Sequence, residues 1–169
     1  MNDSYGFEQF VKAHATELLK SATLLATSRH RGEELLQDTL THLYPQWERV
    51  ARADQPIAYV RRAMVNRLIS TSRIPRNREI PMEYLPERGS APDPSDLVVN
   101  RHKLWQMLAE LPERQRVAVV LRYFNDLPDD QIAEAIGCRE VTVRSHISRA
   151  LAELRRRENL VSLQEKAGS

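Results

Sequence analysis

Two segments of the chain concentrate arginine, a residue well suited to binding phosphates and base edges. Positions 61–78 contain six arginines and no carboxylate, and positions 139–157 contain six arginines and two glutamates. Positions 79–97, between them, hold five acidic residues and one arginine. The guanidinium group donates forked hydrogen bonds that match phosphate oxygens and the major-groove edge of guanine. The formal net charge of +2 therefore conceals two basic segments, whose composition predicts contact with nucleic acid.

The second basic segment lies in a predicted helix-turn-helix, LPDDQIAEAIGCREVTVRSHISRALAELRRR. Its first helix turns Ile132, Ala133 and Ile136 inward and stops at Gly137, which tolerates the left-handed backbone conformation. The second helix has an apolar face for the core, and its polar face is expected to contact duplex DNA. The predicted contact residues are Thr142, Arg144, Ser145, His146, Ser148 and Arg149, followed by Arg155 and Arg156 for phosphates. The alternative is a helical hairpin with a solvated basic face, but the arginines concentrate on the second helix only.

The first basic segment belongs to a predicted helix that begins near Pro56 and ends before Pro75. At about 100° per residue, one face of this helix is apolar and the opposite face is polar. The predicted buried residues are Ile57, Val60, Met64 and Leu68, and the predicted exposed residues are Tyr59, Arg62, Asn66, Ile69 and Arg73. An aromatic ring, an amide and arginines without an acid suit unstacked single-stranded DNA. Packing in the core is the alternative role for Tyr59.

The elements that position these residues are all predicted to be helices. Apolar residues recur at helical spacing almost throughout, and long alternating β-branched runs are absent. The proline-rich stretch IPMEYLPERGSAPDPSD interrupts this pattern and predicts an extended linker. We therefore expect an all-α protein with two small helical domains. The predicted boundaries are 1–78 for the first domain, 79–97 for the linker, 98–158 for the second domain and 159–169 for a short tail.

Several function classes find no support in the sequence. Cys138 is the single cysteine, and the five histidines show no ligand-like spacing, so neither a disulfide nor a metal site is expected. The chain lacks paired catalytic carboxylates, a phosphate-binding glycine loop and a nucleophile beside a base, so we expect no enzyme activity, cofactor or small-molecule substrate. No apolar run approaches the roughly 18 to 20 residues of a membrane span, and the N-terminus lacks a signal pattern. A cytoplasmic location is expected.

Three segments of the chain resemble one protein family. GEELLQDTLTHLYPQW (32–47) and PIAYVRRAMVNRLISTSR (56–73) are similar to region 2 of the extracytoplasmic-function (ECF) sigma factors. DLVVNRHKLWQMLAELPERQRVAVVLRYFNDL and the helix-turn-helix after it are similar to region 4. The pairing of LPERQRVAVVLRYF with GCREVTVRSHISRAL resembles in particular the actinobacterial SigE branch. The resemblance implies a protein that binds core RNA polymerase, recognises the minus-thirty-five and minus-ten promoter elements, and promotes DNA opening. It also implies an anti-sigma partner.

The resemblance assigns roles to several predicted surfaces. The helix-turn-helix residues would read the minus-thirty-five duplex. The polar face of the helix that begins near Pro56, with Arg76 added, would bind the opened minus-ten strand. Asn66 matches the asparagine expected to contact a captured base, and the loop 50–55 matches the specificity loop. The residues implied to bind the polymerase β′ clamp helices are Glu34, Gln37, Asp38 and Thr41. Those implied to bind the β flap are Leu121, Tyr123 and Phe124.

The sequence departs from the family pattern near the helix-turn-helix. Pro128 stands where Ser or Thr usually caps the first helix, and Arg139-Glu140-Val141-Thr142 replaces the usual Ser-x-Gly-Thr run. Pro45 is expected to break the last turn of the clamp-binding helix, which leaves the position of Trp47 open. Two other interpretations also remain at this point. One is a regulator with a LuxR-type helix-turn-helix that acts without polymerase, and the other is an adaptor that uses only the first domain and binds no DNA.

Overall fold

The computed structural model describes residues 3–72 and 95–167 of the chain, with the side chains of residues 6–72 and 102–160. Within these ranges all regular structure is helical, which confirms the predicted all-α class. The chain divides into two units, Met1–Tyr84 and Leu85–Ser169. Arg73, Arg76 and most of the predicted linker lie outside the described residues.

A closely packed pair of helices begins the first unit. This unit contains α1 (Asp3–Ala26), α2 (Arg29–Leu43), a 3₁₀ turn (Tyr44–Gln46), α3 (Trp47–Ala51) and α4 (Pro56–Ser72). Thr27, with φ of 67°, directly follows the end of α1. Ser28 then caps α2 by accepting a hydrogen bond from the Arg31 backbone N–H (3.2 Å). A Cβ atom added to Gly32 would lie 2.7 Å from the Thr23 Cα atom. Glycine is therefore required where α1 and α2 cross.

Apolar residues of α1 and α2 form the core of the first unit, with some of them at its edge. Leu18, Ala22 and Leu25 of α1 are buried, whereas Phe7 and Phe10 are half-buried. Leu36 and Leu43 of α2 are also buried, and Leu40 is half-buried. Burial of such side chains stabilises the unit by roughly 1.5 to 3 kcal/mol for each fully buried one.

Pro45 ends α2 as predicted, and the chain then re-enters a helix. A proline has no backbone N–H to donate and cannot continue the α-helical ladder. The 3₁₀ turn contains Pro45, and α3 begins at Trp47. The Trp47 ring is buried, with its centroid 4.8 Å from that of Phe10 and 5.1 Å from that of Phe7. Trp47 is therefore a core residue, although it belongs to a different helix from Leu36 and Leu43.

The described part of the second unit, residues 95–167, contains four α-helices and a π-helical turn. These are α5 (Ser95–Ala109), α6 (Glu113–Val119), the π-helical turn (Val120–Phe124), α7 (Asp129–Ile136) and α8 (Glu140–Ala167). The first of them starts within the predicted linker. Residues 159–167, predicted as a tail, continue α8. Val117, Ile132 and Val143 are fully buried and belong to three different helices of this unit.

The predicted helix-turn-helix is present in the second unit. Gly137 ends α7 with φ of 74°, in the left-handed region, as the sequence predicted. The backbone N–H groups of Gly137 and Cys138 both donate to the Ala133 carbonyl, at 2.9 and 3.0 Å. α8 begins two residues later. Pro128, which stands where Ser or Thr usually caps this helix, provides no side-chain cap for α7.

Some features that would change the functional interpretation are absent from the described residues. None of the helices there is long and apolar enough to cross a membrane. In the same part of the chain, no three His, Cys, Asp or Glu side chains are grouped to hold a metal ion. Cys138 is a free, half-buried thiol.

Candidate nucleic-acid and protein interfaces

The N-terminal half of α8 presents one polar face to solvent. Val143, Ile147 and Ala150 are buried against the rest of the second unit. The opposite face exposes Arg144, Ser145, Ser148 and Arg149. Guanidinium and hydroxyl groups in this arrangement donate and accept hydrogen bonds, so the surface matches both phosphate oxygens and base edges. The predicted outward orientation of these four residues is confirmed.

Thr142 and His146 lie at the border of this face and are half-buried. The Nδ1 atom of His146 is enclosed and has no hydrogen-bond partner among the described residues. Burial lowers the pKa of His146, and the positive charges of Arg114 and Arg149 lower it further. His146 is therefore a neutral ring beside the basic face near pH 7, with less exposure than the sequence predicted.

Carboxylates within the second unit already pair with part of its arginine charge. Arg122 forms an ion pair with Asp129, and Arg144 Nη1 lies 3.9 Å from the other oxygen of that carboxylate. Arg156 donates two hydrogen bonds to Glu153 (2.7 and 3.1 Å), which raise the pKa of Arg156 and lower that of Glu153. Arg155 and Arg156 were predicted to bind phosphates, and Arg156 thus already pairs with a carboxylate of the same helix.

A shallow depression lies along one flank of α8. Its volume is about 280 Å³, and it is lined by Arg122, Arg144, Ile147, Ser148, Leu151 and Arg155. Three guanidinium groups surround it, and Arg155 is exposed. The basic surface thus extends from the recognition half of α8 toward Arg155. Arg122, which precedes the helix-turn-helix, was not among the predicted site residues, because nothing in the spacing of α8 points to it.

The polar face of α4 carries a different set of groups. Arg62 and Asn66 are exposed, and Tyr59 is half-buried. A depression of about 270 Å³ is lined by Asn66, Arg67, Ser70 and Thr71. The last three residues were missed by sequence reasoning, although Ser70 follows Asn66 by one helical turn. An amide, a guanidinium and two hydroxyl groups here surround a space open to solvent.

Two predictions for α4 are wrong. Ile69 is only 8% exposed, so it is a core residue and does not belong to the polar face. The buried stripe is Val60, Met64, Val65 and Ile69, whereas Ile57 and Leu68 are half-buried. The stripe is thus rotated toward Val65, because α1, α2 and α3 all pack against this helix. We exclude Ile69 from the candidate site.

Arg61 accounts for one arginine of the first basic segment without contributing to the surface. Its side chain is buried, with the residue 7% exposed, and its guanidinium pairs with Glu17 of α1. Removing a charge from water is costly unless it is paired, so this ion pair is a structural contact between α4 and α1. The arginine count of the segment therefore overstates the charge available to a nucleic acid.

The four residues implied to bind the polymerase clamp helices form an acidic and polar stripe on the surface of α2. Glu34, Gln37, Asp38 and Thr41 are all exposed. Glu34 Oε1 lies 3.4 Å from His30 Nε2 on the same helix. Asp38 Oδ2 lies 3.8 Å from Arg67 Nη2 of α4. The acidic stripe of α2 therefore borders the polar face of α4 within one unit.

An exposed aromatic pair occurs at the π-helical turn of the second unit. Tyr123 is 54% exposed and Phe124 is 44% exposed. Leu121 is completely buried, so its predicted place on this surface is wrong. In the π turn the Asn125 N–H donates to the Val120 carbonyl, five residues back (3.2 Å). This wider turn places more residues in one revolution than an α-helix, so Leu121 is buried while Phe124, three residues later, is exposed.

Comparisons with known proteins agree with the resemblance noted in the sequence. The family model described as Sigma-70, region 4 matches residues 101–154. An RNA polymerase sigma-E factor of Streptomyces coelicolor is 34% identical over 162 residues, covering 96% of this chain and 90% of the relative. A sigma-E factor of Streptomyces avermitilis is 34% identical over 149 residues, covering 88% and 83%.

A solved structure has the same fold. It is the sigma factor RpoE in complex with the anti-sigma factor NepR from Bartonella quintana, with a TM-score of 0.68 and 20% identity over 89% of this chain and 95% of that one. The fold agreement adds to the sequence identity, which extends over both units. The chain therefore belongs to the RNA polymerase sigma factors of the extracytoplasmic-function type.

Proposed function

We propose that this chain is a promoter-specificity subunit of bacterial RNA polymerase that uses α8 for the minus-thirty-five element and α4 for the minus-ten element. The observation that carries this proposal is the presence of two separate exposed polar faces, each with arginine, in a chain of the sigma family. A subunit of this kind acts by binding and needs no catalytic group of its own. Its place of action is the cytoplasm, where polymerase and promoter meet.

The α8 face supports readout of duplex DNA. The duplex presents its bases only as groove edges, and a helix that enters the major groove needs donors on one exposed face. Arg144 and Arg149 supply forked donors, while Ser145 and Ser148 supply hydroxyl groups. Arg155, farther along the helix, is placed for phosphates. Arg156 takes the same role only by exchanging its bonds to Glu153 for bonds to DNA.

The α4 face supports capture of a base from an opened strand. Asn66 borders a depression that also contains Arg67, Ser70 and Thr71. A base that leaves the stack exposes its hydrogen-bonding edge, which an asparagine amide can both donate to and accept from. Tyr59 and Arg62 provide a ring and a charge for stacking and backbone contact. Binding energy at this surface would offset the lost base stacking and so favour melting.

Two further surfaces support binding to polymerase. Glu34, Gln37, Asp38 and Thr41 form an exposed stripe suited to a basic partner, and we assign it to the β′ clamp helices. Tyr123 and Phe124 are exposed apolar rings, a type of residue common in protein interfaces, and we assign them to the β flap. We also propose an anti-sigma partner for this chain, on the model of the Bartonella quintana RpoE and NepR complex.

In-vitro transcription with purified core polymerase and a genomic promoter library tests the proposed function. The full-length chain is expected to confer start-site selection, and the double variant R144E/R149E is expected to abolish it. The control is K12E/K20E, which makes the same charge change at exposed positions of α1 and should keep selection. A chain that binds core polymerase but selects no start sites would support the adaptor interpretation. Promoter binding without polymerase would support the regulator interpretation.

Binding to core polymerase is tested separately with the α2 stripe. Asp38→Lys is expected to weaken holoenzyme assembly at least tenfold, because it places a positive charge beside Arg67 and removes an acid from the stripe. Glu33→Lys is the matched control, since Glu33 is exposed on the same helix and pairs with Arg29 (2.8 Å) outside the stripe. Normal assembly by the Asp38 variant would contradict the clamp assignment.

A further inference from the structure

Val141 is an exposed apolar residue on the polar face of α8. It is 57% exposed, the largest exposed fraction among the large apolar side chains of the described residues. It lies in the first turn of α8, which begins at Glu140. Ser145 and Ser148 follow it at four and seven residues and share its side of the helix. A pair of methyl groups thus stands among hydroxyl and guanidinium groups.

The fold of the second unit does not account for this valine. The buried face of α8 contains Val143, Ile147 and Ala150, and at 100° per residue Val141 points about 160° away from Val143. An exposed valine adds no core packing, and β-branching makes it a weaker helix former than alanine. The feature it adds at this surface is therefore a rigid apolar contact.

We propose that Val141 contacts the C5-methyl group of a thymine in the minus-thirty-five duplex and makes this chain selective for thymine at that position. The inference rests on the proposed function, which brings this face of α8 into the major groove. Thymine is the base that presents a methyl group there, next to its O4 acceptor. The two Val141 methyl groups are fixed by one preferred χ1 rotamer, so the contact requires little loss of side-chain freedom. Ser145 or Arg144, on the same side of the helix, can donate to the O4 atom.

Replacing thymine by deoxyuridine tests this contact, since it deletes the methyl group and keeps every hydrogen-bonding atom. The probe is a duplex with the minus-thirty-five element selected by the wild-type holoenzyme, in which each thymine is replaced in turn. Holoenzyme affinity is measured for wild type and V141A. At one position, uracil should weaken the wild type about fourfold, the factor that corresponds to about 0.8 kcal/mol for one buried methyl group at 1.4 kcal/mol per tenfold. V141A should bind the thymine and uracil duplexes equally.

Leu160→Ala is the matched control. Leu160 is an exposed apolar residue of the same helix, about 28 Å farther along at 1.5 Å per residue, and its variant should keep the fourfold difference. The proposal is overturned if no thymine shows a methyl effect, if the selected element contains no thymine, or if V141A shows the same effect as wild type. If the wild-type holoenzyme binds the selected duplex no better than a scrambled one, the proposed function fails as well.

Discussion

The polar faces of α4 and α8 both carry arginine, but the groups beside the arginines differ. The α8 face combines guanidinium groups with serine hydroxyls and an exposed valine, beside a depression of about 280 Å³ on its flank. The α4 face combines arginine with an amide and a half-buried tyrosine, beside a depression of about 270 Å³. A duplex offers fixed edges in a groove, whereas an opened strand offers a whole base. The chemistry of each face fits one of these two forms of DNA.

The two basic segments are alike in one respect, because acids within each unit pair with part of their arginine charge. Arg61 is paired with Glu17, and Arg67 lies near Asp38. In the second unit, Asp129 and Glu153 each contact two arginines. The charge that DNA can use is therefore smaller than the arginine counts of the two segments. Such pairs orient the side chains, and this matters for forked contacts more than for simple charge attraction.

The variant with the largest expected effect unfolds the first unit and leaves the second unit folded. Gly32→Val would place side-chain atoms against the Thr23 backbone and should destabilise the first unit by about 3 kcal/mol or more. Hydrogen exchange of the full-length chain should show lost protection in α1, α2 and α4, with protection retained in α7 and α8. Gly6→Ala is the control, since its Cβ would lie at an ordinary 3.6 Å from Trp47 Nε1. Equal loss in both units would show that the two faces are not held by separate cores.

The second prediction separates the two faces by the step of initiation that they affect. Arg149→Ala should weaken minus-thirty-five duplex binding by about 1 to 3 kcal/mol if the guanidinium makes a bidentate base contact. Asn66→Ala should leave this binding unchanged, reduce open-complex formation and relax selectivity at one minus-ten position. Duplex binding is measured by fluorescence anisotropy, and opening by permanganate reactivity of unpaired thymines. Identical profiles for the two variants would contradict the division between duplex and single-strand readout.

The third prediction concerns Gly137, in the turn between α7 and α8. Gly137→Ala should destabilise the second unit by about 1 to 2 kcal/mol, because an L side chain is strained at φ of 74°. Nothing lies within 4 Å of the added Cβ, so the cost is conformational and steric packing adds nothing. Gly137→Asn should cost less, since asparagine tolerates the left-handed region. Thermal unfolding of the two variants checks the order, and an asparagine variant less stable than the alanine variant would contradict it.

The smallest expected effect is a pH dependence specific to the second unit. Burial, Arg114 and Arg149 hold the pKa of His146 below its ordinary value of 6.5. The unfolded chain therefore binds a proton first as the pH falls. The contribution of His146 to stability is fully present above about pH 6.5 and is lost as the pH falls from there through the lowered native pKa. His146→Gln should flatten this part of the stability curve of the second unit, and an unchanged slope would show that another group is responsible.

The sequence predicted the helices more accurately than it predicted which side of each helix is buried. The helix-turn-helix could be predicted because Gly137 and the apolar spacing of α7 and α8 are local signals. The face of α4 was less certain, because three partner helices rotate its buried stripe toward Val65 and Ile69, and such tertiary packing leaves no local mark. The π-helical turn at Val120–Phe124 also has no sequence signature, so the buried position of Leu121 was not predicted.

Internal ion pairs were likewise beyond the sequence. Arg61 and Glu17 are 44 residues apart, and no spacing rule links them. Arg122 and Asp129 meet only because the chain turns between the π-helical segment and α7. Arg122, Arg67, Ser70 and Thr71 were therefore added to the two depressions by the structure, whereas Asn66, Arg144 and Arg149 were predicted from their residue types and helical positions.

Because of the π-helical turn, the direction of the Tyr123 and Phe124 side chains depends on how many residues the turn contains as well as on their types. Its extra residue turns the chain by about 100° relative to an α-helix of the same rise. A one-residue deletion within Val120–Phe124 would restore ordinary helical spacing and swing both rings around the axis, with Leu121 still anchored in the core. Length variation at this segment could thus redirect an aromatic contact without any change in its chemistry.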